Sequence, residues 1–572
     1  MSFSRKHRVA AATLALAVAA LGAATVGGAA PSTATTTNAT TRTLTGPVTT
    51  TAAAASRPTR AAARRTLPGG YRHLVVIYQE NHSFDNLYGR WGRVHGRRVR
   101  GLGQATRAQQ TQVAQDGTPY VCLPQNDVNL TSPPLTPTCT TDPHLTEPSH
   151  FTNRPFLIDN FIKPEDKTCP PPGVSAPFGV PKNSTGALSG GCTRDLVHRF
   201  YQEQYQLDGG RQDRYTTGSD AVGLTQGVYR TRRLPIYSYL HRRSAPKYVV
   251  ADNFFQAAFG GSFLNHQWLI AARSPIGNGV PGATTQPTNS VLDANGMPTS
   301  YPQYKAGPPV DPNETTVRDG QLTRKCTATA LPLDIQYIDA CGNWAVNTVQ
   351  PESPPFSSSG SRIALIDDDT YPNIGDRLTA AGISWNWYSG GWDDAESGHA
   401  GPQFQYHHQP FNYFADYAPG TPGREHLKDE RRFIAAANRG QLPTVSFVKP
   451  YGAENEHPGY ASEPDGSDHL VNLLKTVTTG PQARKTLVVV TYDEFGGQWD
   501  HVSPPPVDKW GPGTRIPALV ISKSFRHSAV DHRFYDTTSI LSTIERSYGL
   551  EPLSTRDARS HSLAHAVALA NR

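Results

Sequence analysis

The sequence predicts an α/β protein: a mostly parallel central sheet flanked by helices, in one large domain with long loop insertions. Three observations predict it. Short apolar runs recur from Tyr71 to Ile521, helical patterns lie between several of them, and Pro- and Gly-rich stretches near 100–190 and 275–360 interrupt the alternation. Strand–helix alternation favours parallel pairing, because a parallel crossover is long and is usually made by a helix.

The first run is His73-Leu-Val-Val-Ile-Tyr78, bounded by Gly69-Gly70 and by polar residues, as expected of a buried strand. Similar runs follow at Tyr248–Ala251, Ile363–Ile366, Ile383–Tyr388, Thr444–Val448, Thr486–Thr491 and Ala518–Ile521. Helical spacing is read at Asn373–Ala381, Ser467–Val477 and Thr537–Tyr548, the last ending at Gly549. There is no internal repeat.

Ahead of the domain, Arg5, Lys6 and Arg8 precede an Ala-rich apolar run from Val9 to Val26 and small residues at Gly28–Ala30. That is the layout of a secretory signal peptide; an uncleaved anchor is the alternative, because the run is nearly long enough to span. Residues 31–68 are rich in Thr, Ala and Ser and bury too little apolar surface to fold, so they read as a disordered linker. The expected organisation is a signal peptide at 1–30, the linker at 31–68, the folded domain at 69–560 and a C-terminal tail at 561–572. Secretion or wall association follows, with no stable transmembrane segment in the mature chain.

Net charge is +7, but residues 1–70 hold eight Lys/Arg and no Asp/Glu. The remainder is close to neutral, which removes the electrostatic case for a nucleic-acid partner. The six cysteines, Cys122, Cys139, Cys169, Cys192, Cys326 and Cys341, lie in loop-like sequence without a Cys-x-x-Cys. In an oxidising compartment they suggest disulfides, with nearest neighbours expected to pair among the fifteen combinations six cysteines allow.

Ligands of open α/β sheets sit at the carboxyl ends of the strands. The first strand runs into Glu80-Asn81-His82-Ser83-Phe84-Asp85-Asn86, and the strand at 486–491 into Tyr492-Asp493-Glu494 and then Trp499-Asp500-His501. Two distant strands that both end in carboxylates suit a hard divalent cation; helix capping is the simpler explanation for either one alone. Gly260-Gly261-Ser262 precedes an apolar stretch and suits a helix's first turn, where backbone N–H groups favour a phosphoryl group. An N-cap serine is the alternative. The surroundings lack the Gly-x-Ser-x-Gly elbow, so a Ser-His-Asp triad has no anchor. Among the histidines, His144, His150, His407, His408, His457 and His501 stand in polar loops beside Pro or Gly or near the strand ends.

The segments Glu80–Asn86, Gly260–His266, His407–Phe411 and Thr491–Val502 resemble successive motifs of the bacterial phosphoesterase family, which includes secreted phospholipases C and acid phosphatases and has an alkaline-phosphatase-like fold. His144 and His150, followed by Asp159, and Tyr535–Leu541 resemble two further family stretches, so the resemblance covers about 71–555 in order. It implies a divalent metal ion held by Glu80, Asn81, Ser262, Asp493 and Glu494, with Ser262 as nucleophile and His144, His408 and His457 on the phosphate. Gly261 departs from a frequent family Pro, and Phe263-Leu264 from a small residue and Pro; these changes bear on loop shape and substrate preference. Larger family phospholipases C carry further C-terminal β-domains beyond the final helix. The expected activity is therefore acid-phosphatase-like hydrolysis of a small phosphate ester through a phosphoserine, with phospholipid cleavage second. A non-catalytic exported binding protein on this fold is the competing class, and the complete set of five ligand positions argues against it.

Overall fold

Eight strands form the central sheet in this computed structural model, which describes residues 66–114, 116–123, 139, 150–171, 185–219, 222–275 and 365–572. In chain order they are β1 (His73–Gln79), β2 (Lys247–Ala251), β3 (Trp385–Ser389), β4 (Leu427–Asp429), β5 (Val445–Lys449), β6 (Thr486–Tyr492), β7 (Ala518–Ser522) and β8 (Ala529–Asp531). Their spatial order is β8-β2-β7-β6-β1-β5-β3-β4. Five pairings are parallel; β7 runs antiparallel to both its neighbours, β6 and β2. The expected mostly parallel sheet is thus present.

The central strands are largely apolar because both faces are covered. Leu74, Val75, Val76 and Ile77 of β1, with Leu487, Val488, Val489 and Val490 of β6, are buried. Helix α1 (Ser262–Ala271) is buried along its whole length. Helices α2 (Ile374–Ala380), α3 (Glu430–Arg439), α4 (Glu463–Thr479) and α5 (Thr538–Tyr548) complete the layers together with α6 (Ala564–Asn571). Among the described residues no helix is long and apolar enough to cross a membrane.

The structure departs from the sequence reading at four places. Of the strand read at 363–366, the described part holds only a bridge, Ile366 to Phe414. The edge strands β4 and β8, three residues each, carry too short a pattern to be read from periodicity. Residues 561–572, read as a tail, contain α6, whose Ala566, Val567, Leu569 and Ala570 are buried against β2 and β8. At the other end Leu67 is already buried, so packed chain begins inside the stretch read as linker. The signal peptide and nearly all of that linker lie outside the described residues.

Cys122 pairs with Cys139 and Cys169 with Cys192, the nearest-neighbour pattern; Cys326 and Cys341 lie outside the described residues. Thiol titration of the unfolded, unreduced exported protein is expected to find almost no free thiol, and six free thiols would contradict both the pairing and the oxidising compartment.

Candidate active site

β1 and β6 lie side by side in register, with Gln79 opposite Tyr492, so Glu80 and Asp493 leave the sheet together. The crossing is tied by backbone bonds: Asp493 N–H donates to Gln79 O (3.0 Å), and Asn81 N–H donates to Asp493 Oδ1 (3.0 Å). Asn81 has φ +56°, a left-handed conformation, and its side chain contacts Ser262 Oγ and His457 Nε2. Gly496 makes this possible on the facing turn: a Cβ there would meet Asn81 O at 2.3 Å. Downstream, Ser83 accepts from Asn86 N–H as the N-cap of a short helix, Phe84–Leu87.

Ser262 is the first residue of α1. Gly261 is the N-cap and Ser262 makes no capping bond, which removes the capping alternative. Its hydroxyl points instead at oxygens from both strand ends: Glu80 Oε2 at 3.3 Å, Asn81 Oδ1 at 3.2 Å and Glu494 Oε1 at 3.3 Å. Asp493 is bound to the same cluster through Asn81 and Glu494 N–H groups. The fold therefore brings all five expected ligand residues together.

A divalent cation fits this set. Three buried carboxylates, an amide oxygen and a hydroxyl are hard donors. Asp493 Oδ2 is buried with no hydrogen-bond partner, a state that costs free energy unless a cation or proton satisfies it. The electrostatics agree. Burial and neighbouring Glu80 push Asp493 up to about 7, and burial and Asp493 push Glu494 well above the usual carboxyl range. Burial alone would raise Glu80 too, but the Lys449 ammonium and His408 hold it well below. A bound cation would offset the mutual repulsion that raises Asp493 and Glu494.

The histidines divide. His408 Nε2 lies 2.7 Å from Glu80 Oε1, and burial lowers its pKa to about 4. His457 Nε2 is 2.9 Å from Asn81 Nδ2 and 3.7 Å from Glu80 Oε2, while its Nδ1 is 2.6 Å from Pro458 O. With Nδ1–H donating to that carbonyl, Nε2 is the face turned to the site. His144 lies outside the described residues. His150 packs against Phe151 and Phe161. His501 belongs to a separate buried ion cluster, where Arg515 bridges Asp85 and Asp500 at 3.2 and 3.0 Å and His501 contacts Asp85; this cluster fastens the first motif to the last.

Two residues that sequence reasoning missed stand at the site. His198 Nε2 is 3.4 Å from Glu494 Oε1, and its ring faces that of His457 at 6.5 Å. It precedes the helix Phe200–Leu207 in a stretch without strand or metal spacing, so only its Asp195-Leu-Val-His198 polar–apolar context marked it. Lys449, the last residue of β5, puts Nζ 2.5 Å from Glu80 Oε1. The same rule that found Glu80 and Asp493 would have found it, since it directly follows the run Thr444–Val448.

Residues 71–551 match the Phosphoesterase family. Phospholipase C B of Mycobacterium tuberculosis is 22% identical over 518 residues, covering 84% of this chain and 73% of that protein. A non-hemolytic phospholipase C of Burkholderia pseudomallei is 26% identical over 225 residues, 31% of this chain and 32% of that one. Among solved structures, an alkaline phosphatase superfamily protein from Vibrio parahaemolyticus is similar over 32% of this chain and 50% of its own, at 16% identity and a TM-score of 0.21. With the match spanning both strand-end motifs and the serine turn between them, the chain belongs to the phosphoesterase family, hydrolases of phosphoric ester bonds.

Proposed function

We propose that the protein is an exported, divalent-metal-dependent phosphoesterase that works through a phosphoserine at Ser262. The observation that carries this reading is the Ser262 hydroxyl, held 3.2–3.3 Å from three oxygen donors at the ends of two neighbouring strands. A bound divalent ion lowers the pKa of a hydroxyl it touches and draws charge from phosphoryl oxygens. The chain's own residues do the rest. Glu80, Asn81, Asp493 and Glu494 fix the serine oxygen, and the carboxylates beside it accept its proton. Ser262 Oγ forms the new P–O bond as the ester P–O bond breaks, and the N–H groups opening α1 face the phosphoryl charge. His198, His408 and His457 line the phosphate, and the proton that Glu80 takes from Ser262 returns to the departing alkoxide through His408, whose Nε2 lies 2.7 Å from Glu80 Oε1. Water then cleaves the phosphoserine and returns the serine hydroxyl. His144, on the resemblance, is a further phosphate contact.

Relatives named as phospholipases C favour a phospholipid ester over the small monoester expected from the sequence. Both arms enter one experiment. Full-length protein, chelated and then reloaded with divalent ions, is assayed on phosphatidylcholine vesicles and on a chromogenic phosphate monoester. Turnover is expected only after reloading, with headgroup release from the vesicles if the lipid reading holds. Full turnover by protein shown metal-free by elemental analysis would remove the metal requirement.

A further inference from the structure

Lys449 is fully buried at the end of β5. Its ammonium contacts Glu80 Oε1 at 2.5 Å and Gln79 O at 3.3 Å, and lies 5.2 Å from the centre of the Tyr78 ring. Burying an ammonium is costly, so a chain keeps one where it neutralises a charge that must stay in place. Glu80 divides its two oxygens: Oε2 faces Ser262, whereas Oε1 faces Lys449 and His408.

On the Oε1 side lies a second set of donors. Glu80, His407 and His408 offer ligand atoms within 4.8 Å of one another, and so do Glu80, His266 and Asp493. His266 Nε2, both ring nitrogens of His407 and Asp493 Oδ2 are buried without hydrogen-bond partners, while His408 Nε2 faces Glu80 Oε1 at 2.7 Å. The rings of His266 and His408 stack at 5.5 Å. This set is rich in nitrogen and shares Glu80 and Asp493 with the oxygen-rich set around Ser262. Carboxylates shared between adjacent donor sets are the usual basis of two-ion phosphoryl-transfer sites. Here, however, the cation on the second side is covalently attached to the chain.

We propose that the Lys449 ammonium stands in for a second metal ion, so that the enzyme works with one divalent ion and the imidazole-lined half of the site stays metal-free. The inference rests on the metal-dependent reading above. It makes Lys449 a positioning residue that fixes Glu80 and excludes an ion, and its signature is a count of ions.

The test loads metal-free, full-length protein with cobalt(II) and measures cobalt per chain by elemental analysis, together with visible absorption. Wild type and Lys449→Arg are expected to hold one ion per chain. Lys449→Ala is expected to hold two, the second adding absorption of an imidazole-ligated ion. Lys449→Gln, which keeps a hydrogen-bond donor for Gln79 O, gives the same reading should the alanine variant fail to fold. Two ions in wild type overturn the proposal by themselves, whatever the variants do. One ion in wild type and in a folded neutral variant also overturns it, and leaves the metal-dependent reading standing. No ion in wild type removes both.

Discussion

Ser262→Ala is expected to fold like wild type and to lose turnover by about 10³-fold or more, the scale seen when a catalytic nucleophile is deleted. The fold survives because the hydroxyl does no structural work in α1: the N-cap is Gly261, in extended backbone, and no side-chain cap bond exists. All ten helix residues, including Phe263, Leu264, Trp268 and Ile270, are buried and hold the helix without it. The hydroxyl's neighbours, Glu80, Asn81 and Glu494, are ligand candidates rather than packing partners. Thermal unfolding in chelator measures the first half of the expectation and steady-state hydrolysis the second. Rapid acid quench of wild type with substrate, followed by peptide mass spectrometry, should find phosphate on the peptide containing Ser262. Near-normal turnover by Ser262→Ala beside an inactive Asp493 variant would sink the covalent route in favour of direct attack by water.

The sheet was legible where strands are buried on both faces. β1, β2, β5, β6 and β7 read as apolar runs because all their residues are buried except His73 and Lys247, which open β1 and β2. Edge position and shortness hid β4 and β8. α6 was missed because its eight residues are apolar nearly all round, the mark of a buried helix rather than of a tail.

Of the site, the sequence reveals what stands at strand ends and little of what folds back over them. Glu80, Asn81, Asp493 and Glu494 follow directly from β1 and β6, so knowing the strands locates them. Ser262 needed the Gly-Gly turn: Gly260 has φ +94°, and a Cβ there would lie 2.8 Å from Phe200 N. That same close approach brings in the segment carrying His198, a contact between residues about sixty apart that no local pattern records. Lys449 also stands at a strand end, but a lysine does not read as a metal ligand. Its role is visible only once Glu80 lies beside it.

Asp493→Asn separates metal binding from folding by the sign of its pH dependence. Asparagine can keep the acceptor oxygen for the Asn81 and Glu494 N–H groups. It replaces the partnerless Oδ2 by an NH₂ that cannot ligate, so metal affinity should collapse and turnover fall by roughly 10²–10³-fold, as for loss of one electrostatic group. In metal-free wild type, burial and Glu80 push the Asp493 pKa up to about 7, above its value in the unfolded chain. Between about pH 4 and 7 the native state then holds a proton that the unfolded state has released. Native metal-free protein should therefore lose stability as pH rises through that window, and asparagine, which does not titrate, should remove this part of the loss. Above pH 7 metal-free Asp493→Asn is expected to melt higher than metal-free wild type. Added metal should reverse the order, because it stabilises only the chain that binds it. Uptake of the ion by wild type should strengthen as pH rises through 7, since the ion displaces the carboxyl protons. Calorimetric melting at pH 5 and 8, with and without metal, reads all of these. An asparagine variant that gains the same stabilisation from metal as wild type would show that Asp493 is not a ligand, and would leave its raised pKa as a consequence of burial alone.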